Sequence, residues 1–199
     1  MTPRESDPSR RRDEIEIKLP CDDLAAKREK LQELGATPRT PLHFESNDMY
    51  DDDAGGIAGS GRALRLRRAG DAAFLTFKGP ARFEAGVKVR EERETRVADP
   101  VETAAILTAL GFSPRFRYEK KREEWTLEGC AVALDETPIG NFVEIEGDPP
   151  SIRRAVNALG LDFTSAVPYT YSRLYAERRK KDPSLPADMV FRQDVSRKT

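Results

Sequence analysis

Glu14, Glu16 and Lys18 fall at every second position of the run Glu14-Ile15-Glu16-Ile17-Lys18. In a β-strand, residues two apart share a face, so both carboxylates and the ammonium point one way and the isoleucines the other. Two carboxylates on one rigid element can supply hard oxygen ligands of the kind that suit Mg²⁺ or Mn²⁺. Later segments repeat the pattern. Arg65 and Arg67 share a face, as do Phe74, Thr76 and Lys78. Lys88, Arg90, Glu92, Glu94 and Arg96 form a third row, and Tyr118, Lys120, Arg122 and Glu124 a fourth. Asp135 lies with Ala133, and Phe142 with Glu144 and Glu146. Arginine forks and lysine point charges suit the branching oxygens of a triphosphate. Carboxylates can hold a divalent metal that bridges phosphate oxygens and offsets charge developing in phosphoryl transfer.

Any one of these rows would ordinarily be a solvated face. Together, and with both signs present, they predict a closed barrel with a charged interior and an apolar exterior covered by helices. Such an interior is tolerable only where acids and bases neutralise one another. The predicted strands cover residues 13–19, 46–51, 62–68, 72–78, 87–97, 116–127, 130–135 and 141–146. The first helix is capped by Asp22 or Asp23, carries Leu24, Leu31 and Leu34, and stops at Gly35. A second starts at Asp99-Pro100 and ends at Leu110-Gly111. Two more are expected over 149–159 and 169–179. Residues 51–61 and 79–86 are expected as loops. Strand runs broken by isolated helices indicate an antiparallel α+β fold.

The chain has 199 residues, 34 Lys+Arg and 35 Asp+Glu, for a formal net charge of −1. That balance argues against a nucleic-acid coat or a membrane-surface protein. There is no signal-peptide core and no apolar run of spanning length, so a cytoplasmic protein is expected, with no nucleic-acid and no membrane partner. Cys21 and Cys130 lack metal-ligand spacing and read as buried thiols. Residues 1–12 are polar, basic and proline-bearing, which predicts an unstructured leader. Residues 177–199 form a charged tail with no assigned role.

Several residues that could suggest chemistry have simpler readings. His43 follows Pro41 in a loop-like stretch and reads as a surface or packing residue. Trp125 falls on an outward, packing parity. Tyr50 is either a core residue or a hydroxyl at the tunnel mouth. Gly55-Gly56 and Gly59-x-Gly61 are not followed by the Gly-Lys-Ser/Thr of a phosphate loop. Arg178–Lys181 reads as a solvated helix end.

The ordered motifs resemble those of the CYTH family, the triphosphate tunnel metalloenzymes. Glu14, Glu16 and Lys18 match its Glu-x-Glu-x-Lys signature. Tyr50-Asp51, Leu64-Arg65-Leu66-Arg67, Lys78-Gly79-Pro80 and Arg90-x-Glu92-x-Glu94 follow in the family's order. Lys120-x-Arg122, Asp135, Gly140-x-Phe142-x-Glu144-x-Glu146 and Tyr171-Ser172-Arg173-Leu174 complete it. The resemblance spans residues 13–176 and implies an eight-stranded antiparallel barrel open as a tunnel. It implies Glu14, Glu16 and Glu144 as metal ligands, supported by Glu146, Asp135, Glu92 and Glu94. Lys18, Arg65, Arg67, Lys78, Arg90, Lys120 and Arg122 would hold the triphosphate, with Lys18 and Glu16 catalytic and Mg²⁺ or Mn²⁺ as cofactor.

The favoured function is metal-dependent hydrolysis of inorganic, nucleoside or thiamine triphosphate. A class IV adenylyl cyclase is the alternative, since Thr76-Phe77-Lys78-Gly79-Pro80 and Leu110-Gly111-Phe112 also resemble the cyclases. A non-catalytic polyphosphate or nucleotide sensor is a third reading. It would need the bases but not the acids.

Overall fold

Residues 13–84 and 86–192 are described by a computed structural model. Its strands are β1 (Asp13–Cys21), β2 (Thr37–Asp51), β3 (Ala63–Ala69), β4 (Ala72–Lys78), β5 (Arg82–Glu84), β6 (Val87–Val97), β7 (Ser113–Leu127), β8 (Cys130–Thr137) and β9 (Gly140–Glu146). Its helices are α1 (Leu24–Glu33), α2 (Gly56–Gly59), α3 (Pro100–Ala109), α4 (Pro149–Ala158) and α5 (Tyr171–Lys181). The sheet runs β1-β9-β8-β7-β2-β3-β4-β6, and a β1–β6 pairing closes it. The result is an eight-stranded antiparallel barrel, with β5 added as a short hairpin partner of β6. The leader expected at residues 1–12 lies outside the described residues.

The main apolar core sits outside the barrel wall. Ile17, Leu19, Val87, Val89, Val132, Leu134, Val143 and Ile145 form the outer face. Leu31 of α1 and Ile152, Ala155 and Val156 of α4 cover it. Trp125 joins this outer core, as its parity requires. Tyr50 packs with Leu66 and with Leu107 of α3, which settles it as a core residue. Helix starts follow their caps: Asp23 accepts from the Ala26 N–H and Asp99 from the N–H groups of Val101 and Glu102.

Three loop or strand segments differ from expectation. β2 begins at Thr37 rather than 46, and register shifts between Pro38 and Thr40 and between Thr40 and His43 absorb its prolines. His43 therefore lies in a strand, opposite Arg122, and not in a loop. The expected loop at 51–61 contains α2, whose Ile57 and Ala58 N–H groups donate to the Asp51 carboxylate at 2.9 Å. β5 occupies part of the expected 79–86 loop.

The segment after α5 also docks. β8 pairs with β7 only from Lys121 onward, leaving the first half of that β7 edge open. There the Met189 N–H donates to the Arg117 carbonyl and the Glu119 N–H to the Met189 carbonyl, both at 2.9 Å. Met189 is fully buried with Tyr118, Phe142, Tyr171 and Tyr175. Met189→Ala is expected to destabilise the fold by about 2–4 kcal/mol, read by chemical denaturation. A change below about 0.5 kcal/mol would show that the docked tail adds nothing to stability.

Candidate functional site

Residues directly opposite one another in a sheet share a face. Glu14 lies opposite Arg90, and Glu16 opposite both Lys88 and Glu146. Lys18 faces Glu144, Asn47 faces Arg67, and Lys120 faces Glu45. Arg65 faces Thr76, Lys78 faces Glu92, Thr76 faces Glu94, and Arg122 faces Asp135. Because the outer face is the apolar one, these rows meet inside the barrel. Every sequence-predicted site residue belongs to this lumen.

Ion pairing sorts the lumen into two sectors that meet where Arg65 Nη2 lies 3.9 Å from Glu92. In the basic sector, Arg122 clamps Asp135 through Nε at 2.7 Å and Nη2 at 2.6 Å and also touches Glu144. Lys18 Nζ lies 3.1 Å from Glu144, and Lys120 Nζ lies 3.2 Å from Asp135 and 3.4 Å from Glu45. Arg67 holds Glu94 at 3.0 Å with its guanidinium over the Phe74 ring, while Arg65 reaches Glu94, Thr76 and the Tyr118 hydroxyl. In the acidic sector, Lys78 bridges Glu14 at 2.7 Å and Glu92 at 2.8 Å, and Lys88 holds Glu16 at 2.5 Å. Arg90 is buried against the wall, donating to the carbonyls of Gly79 and Gly61. It braces the loop between β4 and β5 and contributes charge to the lumen.

The protonation behaviour follows these sectors. Burial alone would push the Glu45 carboxyl up, but Lys120, the His43 hydrogen bond, Arg122 and Arg67 hold it well below the usual carboxylate range. Burial likewise opposes Glu144, and Lys18, Arg122 and Lys120 overcome it. Glu146 behaves oppositely: burial and the charges of Glu14, Glu16 and Glu92 push its carboxyl up to about 7. Glu146 keeps solvent contact at the rim, so the three neighbouring carboxylates are the cause to weigh most.

Glu45 offers a direct test of these electrostatics. Its folded pKa is depressed, so its stabilisation is present above the unfolded value of about 4.3 and is lost as pH falls through the folded value. At pH 7, Glu45→Gln should cost about 3 kcal/mol, because it leaves buried cations uncompensated. The gap between the two proteins should close as pH falls below 4, measured by thermal unfolding. A gap independent of pH would refute the pairing.

β2 supplies residues that the sequence pattern did not reveal. Glu45 and Asn47 are almost completely buried, and His43 Nε2 lies 3.4 Å from Glu45. Glu45 was hidden by the prolines before it, whereas Asn47 fell inside the strand expected over 46–51 without standing out as a site residue. Both polar atoms of the Asn47 amide are buried with no hydrogen-bond partner among the described residues, as are Nε of Arg65 and Nε of Arg67. These atoms lie on adjoining strands β2 and β3. Buried polar groups are normally satisfied, so this cluster marks where a polar ligand fits.

Among the described residues, no three His, Cys, Asp or Glu side chains stand as a ready-made metal cage. The donor set nevertheless fits a hard divalent cation. Glu14, Glu16, Glu92 and Glu146 face Lys78 and Lys88, and Glu146 has no ion pair of its own among the described residues. By contrast, Glu144, Asp135 and Glu94 neutralise bases in the other sector.

A closed antiparallel barrel with acids and bases sorted inside it defines a triphosphate tunnel architecture. The CYTH domain family matches residues 12–159, and the chain belongs to that family. Members of the family act on triphosphates, as triphosphatases or adenylyl cyclases, and are generally metal-dependent. A Vibrio parahaemolyticus protein described as a candidate adenylate cyclase shares the fold, with TM-score 0.72 and 17% identity over 84% of this chain and 99% of that one. The PH1819 protein of Pyrococcus horikoshii gives TM-score 0.68 and 27% identity over 83% and 99%. A Hippeastrum protein, a candidate adenylyl cyclase described as having a dominant triphosphatase activity, gives 0.60 and 22% over 87% and 98%. No curated protein sequence matches the chain significantly. No helix among the described residues is long and apolar enough to cross a membrane.

Proposed function

We propose that this chain is a metal-dependent enzyme that hydrolyses the triphosphate group of a small molecule. The observation that carries the reading is the set of orphaned polar atoms on Asn47, Arg65 and Arg67, which lie in a lumen whose other side gathers four carboxylates. Arg65, Arg67, Lys120, Arg122 and Lys18 bind and orient the phosphate chain, and Asn47 adds an amide that can donate to a phosphoryl oxygen. Lys78 and Arg90 extend the positive charge toward the acidic sector. Glu45, Glu94, Asp135 and Glu144 keep those bases charged and aimed while the lumen is empty. Glu14, Glu16, Glu92 and Glu146 would hold Mg²⁺ or Mn²⁺, which when bound offsets the charge that develops on phosphoryl oxygens.

The second reading is a class IV adenylyl cyclase, supported by the cyclase descriptions of the Vibrio and Hippeastrum proteins. The same lumen would serve, with the ribose 3′-oxygen in place of water as the attacking group. Purified protein supplied with tripolyphosphate, ATP or thiamine triphosphate and either metal separates the readings. Free phosphate is the expected product. Cyclic AMP with pyrophosphate would establish the cyclase. Tight binding with no product would establish a sensor.

A further inference from the structure

β1 runs on past the start of β6. Their pairing ends at Glu16 opposite Lys88, so residues 17–21 of β1 have no β6 neighbour. The segment after α4 fills part of this gap, where the Val167 N–H donates to the Lys18 carbonyl at 2.8 Å. α5 covers the adjoining part of the same barrel end: Tyr171 donates to Asp135 at 2.7 Å and lies edge-on to Phe142 at 5.3 Å. Between β1, the β5–β6 hairpin and the segment after α4 remains a cavity of about 420 Å³. Its floor is charged, made by the inward-facing Glu16, Lys18 and Lys88, and its walls are aromatic, made by Phe83, Phe163 and Tyr169.

The walls look built to present ring faces. Gly86 has φ +85, and a Cβ there would stand 2.7 Å from Cε1 of Phe163, so only glycine lets this ring lie against the hairpin. The Arg153 guanidinium backs Phe163 at 4.4 Å, and that of Arg173 backs Tyr169 at 4.5 Å. Lys18 ties floor to wall, because its ammonium donates to the Tyr169 carbonyl at 3.2 Å while pairing with Glu144. Phe83 and Tyr169 remain exposed, at 55% and 40%. Exposed rings around a charged floor are not needed to hold an inorganic polyphosphate. They suit a ligand with a flat apolar head and an anionic tail.

We propose that this notch seats the aromatic head of the substrate, its phosphates entering the lumen past Lys18 and Lys88, so that the substrate is an aromatic triphosphate ester and not inorganic triphosphate. This deepens the triphosphate reading above and rests on it. Stacking on such rings is worth about a five- to hundredfold gain in affinity.

The test is calorimetric binding of ATP, thiamine triphosphate and tripolyphosphate, each with Mg²⁺, to the wild type, Phe83→Ala and Tyr169→Ala. At least one of the two esters is expected to bind the wild type more tightly than tripolyphosphate. In the variants the ratio of ester to tripolyphosphate affinity should fall about tenfold, and comparing the two esters identifies the preferred head. An unchanged ratio, or tripolyphosphate the tightest ligand of all, would overturn this inference and leave the triphosphate reading standing. Failure of all three ligands to bind the wild type would remove both.

Discussion

Glu16→Ala is expected to lower turnover of the triphosphate substrate by roughly 10³-fold while leaving metal-free tripolyphosphate binding within a few-fold of wild type. Glu16 stands among Glu14, Glu92 and Glu146 in the acidic sector, and among the described residues its one ionic partner is Lys88. Its removal takes a carboxylate from the set proposed to hold the metal, whose charge stabilisation is worth several kcal/mol in the transition state. Removal also frees Lys88, which raises the positive potential and so does not weaken an anion. The two measurements are expected to separate, with turnover collapsing and binding persisting. A sensor would show the same binding and no turnover in either protein. Turnover within threefold of wild type would mean that the acidic sector has no catalytic role.

The second large effect is expected at Arg122. Its guanidinium joins Asp135 of β8 to Glu144 of β9, and Asp135 is completely buried. Arg122→Ala leaves two carboxylates sharing Lys18 and Lys120 in a dry interior. Breaking a buried pair costs about 3–5 kcal/mol, which for a chain of this size lowers Tm by about 10 °C. Arg122→Lys keeps the charge but cannot form the fork to Asp135 while also reaching Glu144. It should recover most of the Tm, yet bind tripolyphosphate about tenfold more weakly than wild type. Equal recovery of both quantities would show that Arg122 acts only as a structural charge.

Much of this lumen was legible in strand parity. Rows such as Arg90-Glu92-Glu94 and Phe142-Glu144-Glu146 needed only alternation to be assigned inward. Their apolar partners, Val89 and Val143 among them, were thereby assigned to the helix-covered face. Parity fixes a face but not a height along the barrel, and height decides neighbours. Glu144 and Glu146 share a face, yet one joins Lys18 and Arg122 while the other joins Glu14 and Glu16. That sorting comes from the β1–β9 register, which sets Glu144 opposite Lys18 and Glu146 opposite Glu16, whereas the bulges belong to the β2–β7 pairing. Those bulges hid His43 and Glu45, because Pro38 and Pro41 carry the ordinary signal for a break, whereas Asn47 fell inside the expected strand over 46–51 but, as an uncharged amide, did not stand out. Met189 was illegible for another reason. A single apolar residue in a charged tail has no period, and its burial depends on an edge of β7 that β8 leaves unpaired.

The central claim is that one lumen holds phosphate on its bases and a divalent cation on its acids. A crystal structure of the protein with Mn²⁺ and tripolyphosphate, read by manganese anomalous scattering, tests it most directly. The expected result is phosphate density against Arg65, Arg67, Lys120 and Arg122, with the manganese signal among Glu14, Glu16, Glu92 and Glu146. Both ligands on the outer surface, with the lumen ion pairs intact, would contradict it.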